Sequence, residues 1–296
     1  MPGMCQKPPV LLSVVSFAIF HTAFALAAGP ARNAPASRPA EASGPGPTLF
    51  IVGDSTVKNG TRGQAGWGDP TGNHFDHGRI RVENRARGGR SSRTFQTEGL
   101  WDRVPGDAQR GDFVLIQLGH NDGGPLDDPA RARGTLRGIG EETREIDNPI
   151  TKKKEVVHTY GWYLRKYITD ARARGMTPIL CSPVPHCPQK PVKAGAAEAS
   201  GYVAWSAEVA KADGVPFIDL NRLVLSRYAG MTPQQIKAKC FTPAYNTRTS
   251  AEGAALNAAC VVERLLALKD CPLATYLVAR PTFTPPGTPP PPHPPR

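Results

Sequence analysis

The sequence predicts an α/β fold in which a five-stranded parallel sheet is covered by helices on both faces. Two observations carry this prediction: apolar, β-rich runs recur five times, and helical stretches separate most of them. The runs are 48–53, 80–84, 113–118, 177–181 and 215–219. Such folds bind ligands beyond the carboxyl ends of the strands, where the strand order reverses, so a functional site is expected there.

Apolar spacing and capping residues predict the helices. The clearest spans 156–174, where apolar residues recur at helical spacing and Gly175 provides a stop. A second spans 200–212, and the last begins after Ser250 as N-cap. The intervening segment 123–155 is rich in Gly, Asp, Arg and Lys and has little periodicity. It is predicted to be a long loop that lies over the site, because it directly follows the third strand.

The two ends of the chain differ in composition from a central domain at 48–280. Residues 1–27 contain a lysine, a short apolar core and small residues at the end, which is typical of a secretory signal peptide. Residues 28–47 are rich in Ala, Pro and Gly and predict a disordered linker, and 281–296 form a Pro-rich tail. The sequence therefore predicts export to the periplasm or the cell exterior, with no membrane span in the mature chain.

The net charge of +11 predicts binding to an acidic polymer such as pectin or to an anionic cell surface, or else serves solubility alone. The arginines are scattered and no nucleic-acid motif is present, so a nucleic-acid partner is not expected. Loss of the signal peptide leaves five cysteines, an odd number, so at least one is unpaired within the chain. The five lack metal-site spacing: Cys181, Cys187, Cys240, Cys260 and Cys271. Cys181 and Cys187 are close enough in sequence to form a disulfide that closes a loop after a strand, and Cys240 could pair with Cys260 or Cys271.

Three predicted strand ends carry the groups that acyl transfer needs. The first strand stops at Gly53 and Ser55 follows; the second leads to Gly88 and Gly89, whose main chain can approach a ligand; the third leads to Asn121, whose amide can donate. Donors fixed at the position of a developing oxyanion are worth about 3–4 kcal/mol each. A turn or a helix cap explains each group singly. Their joint placement favours a nucleophilic serine with an oxyanion hole.

These segments resemble a known family. Gly-Asp-Ser at 53–55, the glycine of the second segment and Gly-His-Asn-Asp at 119–122 are similar to the first three sequence blocks of the SGNH (GDSL-type) hydrolases. The variant Gly-Asp-Ser-Thr-Val with Gly-Gly-Arg-Ser resembles the rhamnogalacturonan acetylesterase branch, and the likeness covers about 48–268. It implies a flavodoxin-like three-layer α/β/α sandwich without a metal or organic cofactor. It also implies hydrolysis of O-acetyl esters on a pectin- or rhamnogalacturonan-type polysaccharide, or of small esters.

The same resemblance implies roles for individual residues. Ser55 is the nucleophile, and its own N–H, the N–H of Gly89 and the side chain of Asn121 form the oxyanion hole. The remaining polar residues of the blocks are assigned to substrate binding: Asp54, His120 and Asp122.

The last family block departs from its usual pattern. It normally supplies an Asp and, three residues later, the His that activates the serine, just before the final helix. Here Tyr245 stands at the Asp position and Arg248 at the His position, although the flanking residues fit. Arginine stays protonated and cannot accept the serine proton. His120 and His186 follow strands on the correct side of the sheet, but a productive bond from either to Ser55 is not expected.

Two functional hypotheses remain open from the sequence. The first is a secreted carbohydrate esterase whose turnover is impaired because the family Asp and His are missing. The second is a catalytically dead pseudoenzyme that binds a glycan, in which the loop 123–155 and the basic surface hold an acidic polysaccharide. Natural loss, deliberate alteration and sequence error each account for the two replacements, and the oligomeric state is left open.

Overall fold

The computed structural model describes residues 46–196, 201–269 and 271–278. The predicted signal peptide at 1–27, all but the end of the linker at 28–47 and the Pro-rich tail at 281–296 lie outside these residues. Within the described ranges, no helix has both the length and the apolar character needed to span a membrane.

The described residues contain seven strands and eight α-helices, which alternate along most of this part of the chain. The strands are β1 (Thr48–Gly53), β2 (Arg81–Asn84), β3 (Phe113–Gln117), β4 (Thr143–Asn148), β5 (Lys153–His158), β6 (Thr177–Cys181) and β7 (Phe217–Ile218). The helices are α1 (Gly68–Gly72), α2 (Ser92–Thr97), α3 (Arg103–Asp107), α4 (Tyr160–Ala173), α5 (Gly201–Ala212), α6 (Leu220–Tyr228), α7 (Pro233–Cys240) and α8 (Ala251–Ala267), followed by a 3₁₀ turn (Pro272–Tyr276).

Five strands form one parallel sheet in the order β2-β1-β3-β6-β7. The order reverses between β1 and β3, so the carboxyl end of β1 lies at the topological switch point. Ser55 follows that end directly. The parallel sheet and the position of the first strand are therefore as the sequence predicted.

The side chains of β1 alternate between two buried cores, one on each face of the sheet. Leu49 and Ile51 belong to a core that includes residues of α6, α7 and α8. Phe50 and Val52 belong to a second core that includes residues of α2, α4 and α5. All four side chains are fully buried. This arrangement confirms the three-layer α/β/α architecture, because a strand buried on both faces needs a helical layer on each.

The predicted long loop 123–155 contains a β-hairpin that the sequence analysis missed. Strands β4 and β5 pair antiparallel, and β5 takes the first residues of the helix predicted at 156–174. The helix begins later because the Thr159 side chain caps it by accepting from the Trp162 N–H at 3.1 Å. The hairpin turn is fixed by Asn148, whose side chain accepts from the N–H groups of Ile150 and Thr151.

All five cysteines of the domain are buried and unpaired. The disulfides that the spacing permitted are therefore absent from this structure. Burial raises the pKa of the Cys240 and Cys260 thiols to about 11, which keeps both protonated and poorly reactive at neutral pH.

Candidate active site

Ser55 lies in a tight turn that directly follows the carboxyl end of β1, at the switch point of the sheet. The N–H groups of Val57 and Lys58 both donate to the carbonyl oxygen of Asp54, at 3.1 and 3.0 Å. A side chain at Gly53 would not fit, because its Cβ would lie 2.7 Å from the carbonyl oxygen of Gln117. The glycine therefore lets β1 and β3 stay in register while the chain turns, and Ser55 is left 5% exposed.

A buried chain of hydrogen bonds holds this turn against the sheet. The indole of Trp67 donates to the Gln117 amide oxygen at 2.8 Å, and the Gln117 amide donates to the Thr56 hydroxyl at 2.7 Å. Thr56 in turn donates from its N–H and its hydroxyl to one Asp54 carboxylate oxygen, both at 2.8 Å. Each of these four side chains therefore has a hydrogen-bond partner, which fixes the backbone around Ser55.

The three predicted segments come together around Ser55. A Cβ at Gly88 would lie 3.5 Å from the Ser55 Cβ, an ordinary contact distance that places the second segment against the serine. Gly89 has φ of +81°, a conformation that favours glycine. The Asn121 amide donates one hydrogen bond to the carbonyl oxygen of Arg90 at 2.8 Å, which ties the third segment to the second. The oxyanion-hole roles of Gly89 and Asn121 stay predictions.

Arg248 lies against the candidate nucleophile. Its Nη1 donates a hydrogen bond to the Ser55 Oγ at 2.5 Å. The loop that carries Arg248 is closed by the bond from the Thr242 N–H to the Arg248 carbonyl oxygen. Tyr245 lies on the same loop, but its side chain is 54% exposed. The structure therefore brings Arg248 to the serine and places Tyr245 at the surface.

His120 is held by other groups on both sides of its ring. Its Nδ1 lies 3.3 Å from a carboxylate oxygen of Asp54, and its Nε2 lies 2.9 Å from the carbonyl oxygen of Val184. The ring of His186 packs edge-on against it at 5.6 Å. Both nitrogens of His120 therefore face acceptor oxygens of groups other than Ser55. Burial opposes ionisation of Asp54, but His120 and Thr56 outweigh it and lower the Asp54 pKa.

Asp122 is fully buried, and its carboxylate accepts from the N–H and hydroxyl of Ser92, the latter at 2.5 Å. Asp54 is equally buried. Their hydrogen bonds are made to the chain itself and hold the strand-end segments in place. The assignment of Asp54, His120 and Asp122 to substrate binding stays a prediction.

The burial of Asp122 predicts a pH-dependent stability. Burial raises its pKa to about 7, although the bonds from Ser92 oppose this. The folded state binds a proton that the unfolded state has released above about pH 4, so this group destabilises the fold as pH rises towards 7. We compare the unfolding free energy of Asp122→Asn with that of the unmodified chain, and expect the difference to shift by about 2–3 kcal/mol in favour of the variant from pH 5 to pH 8. Urea unfolding at both pH values measures this shift. The same free-energy difference at pH 5 and pH 8 would contradict the prediction.

A second arginine, Arg133, lies close to the candidate site, and the sequence motifs did not predict it. Arg133 donates from Nη1 to the carbonyl oxygen of Gly89 at 3.0 Å. Burial lowers its pKa, and the charges of Arg131 and Arg248 lower it further. Arg133 comes from the aperiodic segment after β3, where nothing in the sequence distinguishes it from its neighbour Arg131. The surroundings of Ser55 therefore carry more positive charge than the motifs indicate.

Comparison with known proteins gives the family. Residues 51–239 match the model of the GDSL-like lipase/acylhydrolase family. The chain is 29% identical over 212 residues to a rhamnogalacturonan acetylesterase of Emericella nidulans, which covers 71% of this chain and 80% of that relative. It is 33% identical over 138 residues to a probable rhamnogalacturonan acetylesterase of Bacillus subtilis, YesY, covering 46% of this chain and 53% of the relative.

Solved structures with the same fold agree. The protein YxiM of Bacillus subtilis matches with a TM-score of 0.60 at 22% identity, covering 75% of this chain and 56% of that one. An acetyl xylan esterase variant from Geobacillus stearothermophilus matches with a TM-score of 0.50 at 16% identity, covering 80% and 99%. The chain therefore belongs to the GDSL-like lipase/acylhydrolase (SGNH) family of hydrolases, in the branch that resembles rhamnogalacturonan acetylesterases.

Proposed function

We propose that this protein is a carbohydrate O-acetylesterase of pectin-type polysaccharides by descent, in which ester hydrolysis is strongly impaired. The observation that carries the proposal is the hydrogen bond from Arg248 to the Ser55 hydroxyl. The family and the rhamnogalacturonan acetylesterase relatives support the substrate class. The predicted signal peptide supports export, and cleavage near residue 28 in an exporting host would test it, since an uncleaved N-terminus would contradict it.

The impairment follows from proton transfer. As the Ser55 Oγ attacks an ester carbonyl, a base must take the hydroxyl proton. Arg248 already donates to that oxygen, and a guanidinium has only donor groups and no acceptor for the serine proton. Tyr245 does not supply the negative charge that would orient and stabilise a histidine at position 248. In a serine hydrolase the loss of the triad reduces turnover by about 10⁶-fold.

Some turnover should survive. Donors that stabilise the oxyanion act without a base, and in other serine hydrolases they leave about 10³–10⁴-fold acceleration over water when the triad is removed. The fixed turn at Ser55, together with Gly89 and Asn121, supports a low residual activity of this kind in the protein.

Acetate release from acetylated rhamnogalacturonan tests the proposal. We expect slow release by the unmodified chain and little further fall with Ser55→Ala, because the acceleration that survives without a base comes from the oxyanion donors and not from the serine oxygen. Asn59→Ala on the neighbouring exposed loop is the matched control and should leave the rate unchanged. Fast release that Ser55→Ala does not alter would overturn the assignment of the site.

A second candidate function is glycan binding without turnover. The observation that favours it is the pair of cations beside Ser55, Arg133 and Arg248, whose mutual repulsion a carboxylate would relieve. Galacturonate oligomers should then bind to the unmodified chain, more weakly as salt increases, and Arg248→Gln should weaken them. A lack of binding at low salt would remove this candidate.

A further inference from the structure

A cavity lies next to the segment that carries Asn121, largely within the part of the chain predicted to be a long loop. Its volume is about 630 Å³, within the range of small-molecule sites. Three elements enclose it: the segment after β3, strand β4 of the hairpin, and the start of α5. The hairpin is an addition to the five-stranded sheet, so this cavity exists because of it.

The cavity shares a wall with the candidate active site. The segment 119–124 carries Asn121 at one end and enters the cavity lining at Gly123 and Gly124. The ring of Tyr202 packs against this segment, since a Cβ at Gly123 would lie 3.6 Å from its Cε2 atom. The far wall is joined to the same segment by the bond from the Thr135 N–H to the Asp122 carbonyl oxygen at 3.0 Å. The segment that carries Asn121 therefore continues directly into the wall of the cavity.

Two arginines give the cavity its charge. Arg137 and Arg144 both line it and are exposed, against one carboxylate, Asp127. Within the described residues neither arginine forms an ion pair. Arg137 is held over the ring of Trp205 at 5.8 Å, which fixes its guanidinium without neutralising it. The cavity can therefore accept a carboxylate from two directions.

The remaining lining suits the apolar face of a sugar ring. Tyr202 presents an aromatic ring whose orientation is fixed by edge-on packing against Trp205 at 5.0 Å. Leu126, Leu136 and Ile146 add apolar surface. Burial raises the pKa of Tyr202 to about 12, so the phenol stays neutral and does not repel an acid. Positive charge beside an aromatic wall is the combination that a uronic acid requires.

We propose that this cavity is a subsite for a uronic acid residue of the polysaccharide, separate from the sugar that carries the ester. The inference rests on the proposed function for the identity of the polymer. It goes further by assigning recognition of the acidic backbone to the hairpin, through Arg137, Arg144 and Tyr202. The subsite would select acidic over neutral polysaccharides whether or not Ser55 turns over.

Calorimetric titration of the full chain with trigalacturonate, compared with neutral galactotriose, tests the subsite. We expect trigalacturonate to bind more tightly, and Arg144→Gln to weaken it about tenfold through loss of one charged hydrogen-bond donor. Lys153→Gln is the matched control, because Lys153 is exposed on the same hairpin and does not line the cavity. That variant should bind as the unmodified chain does.

Three results would overturn the subsite: equal affinities of Arg144→Gln and Lys153→Gln, equal binding of the neutral sugar, or no binding of trigalacturonate by the unmodified chain. Displacement by inorganic phosphate as effective as by free galacturonate would show a general anion site and would also overturn it. A failure of the proposed esterase function can be distinguished from a failure of the subsite. Hydrolysis of a small acetyl ester by the variant Tyr245→Asp with Arg248→His tests the first and does not involve the cavity.

Discussion

Replacing Arg248 by His together with Tyr245 by Asp is expected to raise the rate of 4-nitrophenyl acetate hydrolysis by about 10²–10⁴-fold, the usual contribution of a positioned general base. The loop geometry supports a base at position 248. Positions 245 and 248 are three residues apart in a loop that the Thr242 and Arg248 main chains close, and Arg248 already reaches the Ser55 Oγ. A shorter imidazole at 248 would accept the proton that the guanidinium cannot.

Two single changes serve as controls for this prediction. Arg248→Gln removes the cation without supplying a base, so its rate should stay near that of the unmodified chain. Arg248→His alone should fall between that rate and the rate of the double variant, because an orienting carboxylate is worth less than the base itself. A double variant no faster than Arg248→Gln would show that the missing base is not what limits hydrolysis.

Replacing Arg93 by Met is expected to lower the unfolding free energy by about 3–5 kcal/mol, as for other buried ion pairs that lose one partner. The Arg93 side chain is completely buried, and it donates from two nitrogens to both carboxylate oxygens of Glu155, each at 2.7 Å. It also donates to the carbonyl oxygens of Leu126 and Gly134, both at 2.9 Å. One side chain thus fastens α2, the segment after β3 and the hairpin to one another.

Urea unfolding at neutral pH measures the effect of Arg93→Met. Burial alone would raise the pKa of Glu155, but the bonds from Arg93 and Asn148 lower it, so removal of Arg93 leaves an ionised carboxylate without its main partner. Arg222→Met is the control: its pair with Asp219 is largely exposed, and a cost of about 1 kcal/mol or less is expected. Equal losses for the two variants would refute the anchoring role of Arg93.

The layered fold could be predicted because it depends on local patterns. β1 is continuously apolar since both its faces are buried, and Ser250 caps α8 by accepting from the Gly253 N–H as its position suggested. The three strand-end segments converge because parallel strands bring their carboxyl ends together. These features follow from residues close in sequence and from the topology that they dictate.

The features that were missed depend on contacts between distant residues. The hairpin is held to α2 by the ion pair between Arg93 and Glu155, which are 62 positions apart. A contact over this sequence distance leaves no local pattern in the segment 123–155. Arg133 reaches Gly89 across 44 positions. The orientation of His120 depends on the Val184 carbonyl oxygen, a main-chain group that side-chain patterns do not reveal. The charge around Ser55 is therefore a property of the folded chain.

The most direct test of the missing base is covalent labelling of Ser55 by a fluorophosphonate. In this reaction the serine oxygen bonds to phosphorus, fluoride leaves and the hydroxyl proton must pass to a base. Intact mass and peptide mapping should find Ser55 unlabelled in the unmodified chain over a period in which the variant with His at 248 and Asp at 245 is labelled. Rapid labelling of Ser55 in the unmodified chain would contradict the claim that Arg248 leaves this serine without a proton acceptor.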